Sequence, residues 1–154
     1  MARPSGSLCG MAGYSGTPLP KKLGIKPGHR VAILGAPRGF VQHTLGALPQ
    51  DVIVATALTG RAPVDVVVLF AASASALEKR FAPASSRLAS DGGLWVAWPK
   101  KASGVTTDLT EDVVRGIGLA AGLVDNKVCA IDEVWSGLRL VVRVKDRAKR
   151  DAVL

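Results

Sequence analysis

A chain of 154 residues with 48% hydrophobic and 21% charged residues has the length and balance of one globular domain, which excludes a disordered chain or a coiled coil. The formal net charge is +8, shared between the two ends and the body, and what remains on the body suits a small anionic ligand better than a dedicated nucleic-acid surface. No apolar run reaches the ~18 residues of a membrane span, and residues 1–13 lack the apolar core of a signal peptide, so the expected address is cytoplasmic with no membrane partner.

In chain order, residues 1–12 are a Gly/Ser-rich arm without folding pattern, and 13–145 read as the domain. Cys9 in the arm and Cys129 in an apolar run make neither a disulfide framework nor a metal site. Thr17-Pro18 reads as the N-cap and first position of a short helix, with Leu19 and Leu23 on one face, Lys21 and Lys22 in the last turn and Gly24 as the stop. Apolar runs near 30–35, 51–57 and 64–70 predict strands buried on both faces, the first two separated by a short helix over 39–48 that Pro49 ends.

Leu77, Phe81, Ala84 and Leu88 share one helical face within 73–89. Asp91-Gly92-Gly93 reads as a tight turn into a strand over 93–98. Leu109, Val113, Val114 and Ile117 predict a helix over 108–121, opened by a capping box of Asp108 and Glu111 and stopped by Gly122. An antiparallel pair near 124–132 and 137–144 closes the body, and 146–154 form a basic tail. Strands alternating with helices and then a hairpin predict a three-layer, Rossmann-like α/β domain with a mostly parallel sheet and a C-terminal antiparallel hairpin.

Ligands of such sheets sit beyond the carboxyl ends of the strands, at the switch point of the strand order. The loops 35–39, 71–74 and 99–107 leave strands at that edge. In WPKKASGVTTDLTEDVVR, Lys100 and Lys101 supply charge and Ser103 and Thr106 supply hydroxyls just before a helix start, with Arg38 in the neighbouring loop. These residues are the candidate anion site, with Arg38 as a bidentate donor. A polar turn is the plain alternative, and so is an Arg38 paired with Asp108 or Glu111. His29 and His43 are not spaced as metal ligands. No nucleophile elbow, phosphate-loop lysine or carboxylate pair is present, so no catalytic residue is named.

The stretches LGIKPGHRVAILG, VDVVVLF, DGGLWVAWPK and WSGLRLVVR together resemble the Rossmann-like core of class I S-adenosylmethionine-dependent methyltransferases. YSGTPLPKKLGIKPG, WPKKASGVTTDLTEDVVR and GLVDNKVCAIDEVWSGLRLVVR are similar to a bacterial domain-of-unknown-function family, number 3052, which brings no activity with it. The methyltransferase resemblance implies an acid and closely spaced glycines after the first strand and a carboxylate after the second. Here Ala32 to Gly39 lack the acid, Pro37 and Arg38 occupy the turn, and Thr56 to Thr59 stand where the ribose carboxylate belongs. One βα unit also drops out between the second and third strands, which Gly60 to Pro63 connect.

On that reading S-adenosylmethionine is not expected as a cofactor. The protein is instead a non-catalytic, methyltransferase-like module that binds a small anionic ligand or regulates a partner. The alternatives are a degenerate S-adenosylmethionine-dependent methyltransferase and a nucleic-acid-associated accessory protein using Lys145 to Arg150.

Overall fold

The computed structural model describes residues 17–153; the arm 1–12 with Cys9 lies outside the described residues. A single helical turn, α1 (Leu19–Lys22), precedes β1 (Arg30–Leu34), a π-helical turn (Phe40–Thr44), β2 (Ile53–Ala55) and β3 (Val64–Phe70). Then come α2 (Ala74–Arg87), β4 (Leu88–Pro99), a 3₁₀ turn (Lys101–Ser103), α3 (Glu111–Ala120), β5 (Leu123–Ala130), β6 (Trp135–Val142) and α4 (Arg147–Val153). The strands form one six-stranded sheet in the order β2-β1-β3-β4-β6-β5. The first four run parallel, and β6 is antiparallel to both its neighbours. This is the mostly parallel α/β sheet with an antiparallel edge that the sequence predicts. No described helix is long and apolar enough to cross a membrane.

Alternation along each strand sends consecutive side chains to opposite faces. Ala32, Leu34, Val67, Leu69, Leu94 and Val96 pack with Leu77, Phe81 and Ala84 of α2 and Val114 of α3. On the other face Val31, Ile33, Val66, Val68, Trp95 and Ala97 pack with Leu23, Ile25, Phe40 and Leu45, from α1 and the segments around the π-helical turn. Trp95 is fully buried, and its indole N–H donates to the Leu23 carbonyl at 3.0 Å, which satisfies the ring's polar atom and fixes the end of α1. Phe70 lies edge-on to Phe40 at 4.8 Å and to Trp135 at 5.0 Å, closing this layer at the carboxyl end of β3.

A parallel crossover usually carries a helix of its own. Between β2 and β3 only residues 56–63 make the crossing. Leu58 tucks against the core on the α2 face, and Arg87 at the end of α2 grips the segment, donating from Nη2 to the carbonyls of Thr59 (3.0 Å) and Ala62 (2.7 Å) and from Nε to Ala62 (3.2 Å). The α2 face above β1 and β2 is therefore roofed by a loop where a helix would lie.

Four local expectations change. The segment over 39–48 is a π-helical turn of 40–44, entered through Gly39. β4 begins at Leu88 and runs straight through Asp91-Gly92-Gly93, which are strand and not turn. α3 starts at Glu111 with Thr110 as N-cap, the Thr110 hydroxyl accepting from Val113 N–H at 3.2 Å. Asp108 accepts instead from the Ala74 N–H, at 2.8 Å, and Glu111 pairs with Arg115. The basic C-terminal stretch is helical from Arg147 and lies against β4: Arg150 donates to the carbonyls of Leu88 (3.0 Å) and Ser85.

Candidate ligand crevice at the switch point

The strand order reverses at β1, which has β2 on one side and β3 on the other. Such a reversal splays the following loops apart and opens a crevice at the carboxyl ends. There the chain leaves β1 through Gly35, whose φ of 68° lies in the left-handed region that side chains disfavour. On the α2 face a crevice of about 400 Å³ opens over it. Its walls are Leu34 and Gly35 from β1, Thr56 and Leu58 from the short crossover, and Lys79, Arg80 and Pro83 from α2. The volume falls within the range of small-molecule sites.

The lining is apolar on two sides, with one hydroxyl and two cations and no carboxylate or imidazole. Arg80 lies over Gly35: a β-carbon there would stand 2.5 Å from Arg80 Nη1 and 2.9 Å from the Phe70 carbonyl oxygen. Neither the Lys79 nor the Arg80 side chain makes a hydrogen bond or ion pair among the described residues. At the start of α2 two N–H groups are already taken, since Ser73 Oγ accepts from Ala76 N–H at 3.1 Å and Asp108 accepts from Ala74 N–H. The polar chemistry of the crevice therefore resides in its side chains and in the Gly35 backbone.

The residues expected from sequence sit elsewhere along the same edge. Lys100, Lys101 and Ser103 share the turn after β4, and Arg38 is exposed in the turn after β1; the sheet order separates these strands by β3. The Ser103 hydroxyl donates to the Lys100 carbonyl at 2.6 Å and accepts from Val105 N–H at 3.2 Å, so it is engaged in shaping the loop. Lys101 and Thr106 are exposed. Arg38 forms no ion pair with Asp108 or Glu111, whose partners are Ala74 and Arg115. Lys79 and Arg80 escape sequence reading because they lie in mid-helix, off the apolar face. The only hint is the missing crossover helix, which leaves that flank of α2 uncovered.

A larger depression, about 700 Å³, lies at the opposite border of the sheet beside Cys129. Two of its lysines act as staples there: Lys22 donates to the Ala130 carbonyl at 3.0 Å and Lys127 to the Lys22 carbonyl at 3.3 Å. Burial pushes the Cys129 thiol up, against a smaller opposite pull from Lys22 and Lys127. Its place on the border strand β5, away from the switch point, gives it less claim to ligand chemistry.

No family model matches the sequence, and no curated protein does. Solved structures do match in fold. The ribosomal protein L11 methylase from Lactobacillus delbrueckii subsp. bulgaricus superposes with a TM-score of 0.54 at 16% identity, over 80% of this chain and 74% of that one. A SAM-dependent methyltransferase from Aquifex aeolicus gives 0.54 at 16% identity, over 78% and 85%. Aeropyrum pernix fibrillarin, solved with natively bound S-adenosyl-L-methionine, gives 0.50 at 16% identity, over 84% and 70%.

These likenesses correct the expectation set against S-adenosylmethionine, because the matching folds are those of enzymes dependent on it and one of them holds it natively. The missing acid and glycine pattern are local features, whereas the reversal of strand order at β1, which makes the crevice, is present despite the shortened crossover. The architecture is a Rossmann-like α/β fold shared with these solved methyltransferases.

Proposed function

We propose that the protein is a methyltransferase-like module that binds an S-adenosyl ligand in the crevice between β1, the 56–63 crossover and α2, and that its role is binding. The observation that carries this reading is the crevice itself, placed over Gly35 at the switch point of a sheet whose fold resembles those of solved methyltransferases. Leu34 and Leu58 offer apolar surface to a base, and the Thr56 hydroxyl, at the end of β2, offers one hydrogen bond to a ribose hydroxyl. When bound, S-adenosylmethionine supplies an electrophilic methyl group on sulfur. The crevice lining brings no carboxylate or imidazole to take a proton from an acceptor. The likeness to family 3052 rests on three sequence stretches and belongs to this proposal.

On the same reading, Arg38, Lys100, Lys101 and Thr106 form a second polar surface along the carboxyl edge that engages small anions, with the Ser103 hydroxyl shaping the loop that carries it. Phosphate or sulfate should raise the thermal midpoint of the wild type, and a Lys100→Ala/Lys101→Ala variant should lose that response. Equal midpoints in both would reduce this loop to a polar turn.

Titration calorimetry with S-adenosylmethionine and S-adenosylhomocysteine tests the main reading. Saturable binding with a Kd of about 10–100 μM, roughly −7 to −5.5 kcal/mol, is expected, weakened several-fold by Thr56→Val. No heat at millimolar ligand would overturn it. Steady conversion of S-adenosylmethionine to S-adenosylhomocysteine in the presence of cell extract, dependent on the purified protein, would make it an enzyme.

A further inference from the structure

The position a Gly35 side chain would fill is shared by two groups of opposite hydrogen-bonding character. Arg80 Nη1 lies 2.5 Å from it and the Phe70 carbonyl oxygen 2.9 Å from it. Although both border one point, no hydrogen bond joins them, and the Arg80 guanidinium has no acceptor or acid among the described residues. Two turns further along the same helix, Arg87 directs its donors to the Thr59 and Ala62 carbonyls. Lys79, next to Arg80, lines the same crevice.

A guanidinium with its planar fork uncommitted is built to hold a carboxylate through two parallel hydrogen bonds. A carbonyl oxygen beside it is the complement of an ammonium. Together they match an α-amino acid in its zwitterionic form. We propose that Arg80 anchors the α-carboxylate of the amino-acid part of an S-adenosyl ligand, that the Phe70 carbonyl faces its ammonium, and that Lys79 adds to the field at the carboxylate. This rests on the adenosyl reading above and goes beyond it by assigning ligand discrimination to one residue of α2. It also gives the glycine at position 35 a second purpose: it leaves open the space in which both groups are reached.

The test compares S-adenosylhomocysteine with 5′-methylthioadenosine, which keeps the adenine, the ribose and the thioether but has no amino acid. In calorimetric titration the wild type should prefer S-adenosylhomocysteine at least tenfold. Arg80→Gln should abolish that preference by weakening S-adenosylhomocysteine alone, with Arg80→Lys intermediate. The Arg80 side chain is exposed and without partners among the described residues, so the thermal midpoint of Arg80→Gln should stay within a degree or two of the wild type and confirm that it is folded. If the wild type binds both ligands equally, or if Arg80→Gln keeps the preference, the assignment of Arg80 is overturned while the adenosyl reading stands. If neither ligand binds the wild type, both fall together.

Discussion

At Gly35 a backbone in the left-handed region coincides with a guanidinium lying where a side chain would be. Gly35→Ala should therefore cost about 1–3 kcal/mol of stability, from the strained φ and the displaced Arg80. A denaturant midpoint identical to wild type would show that the turn has another way out. A different residue-scale test concerns Cys129, whose thiol burial pushes up. The folded protein holds this proton more tightly than the unfolded chain does, so stability present below the unfolded thiol's pKa is eroded as pH rises through the folded value. In a Cys9→Ser background, iodoacetamide at pH 7 should modify Cys129 more slowly than it modifies the same thiol in the unfolded chain. Equal rates would contradict the burial.

Among elements, the crossover 56–63 depends on Arg87, whose guanidinium makes three hydrogen bonds to Thr59 and Ala62 carbonyls. Arg87→Ala should destabilise by about 1–3 kcal/mol, the range for hydrogen bonds to a charged group, and raise amide exchange across 56–63. An unchanged exchange pattern there would mean that Leu58 alone holds the loop. Thr110→Ala should cost about 1 kcal/mol as a lost N-cap, whereas the same change at Asp108 should loosen the start of α2, because its acceptor serves Ala74.

Elements were legible in the sequence where local patterning governs them: the apolar runs of β1 and β3 and the face of Leu77, Phe81 and Ala84 needed no partner to be recognised. They were not legible where the cause is remote. Gly92 and Gly93 suggest a turn, yet they belong to a strand in which a β-carbon on Gly92 would stand 2.5 Å from the Asp65 carbonyl and one on Gly93 would meet the Arg139 guanidinium. They are small because neighbours approach closely, at a point where the β3–β4 register shifts. Asp108 looks like a cap for its own helix until α2 is placed beside it.

At the scale of the molecule, the loops at the carboxyl edge could be read from strand ends, which is how Arg38 and the Lys100–Thr106 loop came into view. The crevice under Arg80 could not, because it exists only where α2, β1 and a helix-free crossover meet. The order β2-β1-β3-β4-β6-β5 has one more implication. β6 follows β5 in the chain yet lies inside the sheet between β4 and β5. While the chain is still on the ribosome, the nascent β4 has emerged with its strongly apolar flank unpaired until Trp135 to Val142 follow it out. Unpaired strand edges template association, so a chain that stops before Trp135 should partition into the insoluble fraction, and one that continues through Val142 should stay soluble. A pause in synthesis between the emergence of β4 and that of β6 would then be the dangerous interval for this protein in a crowded cell.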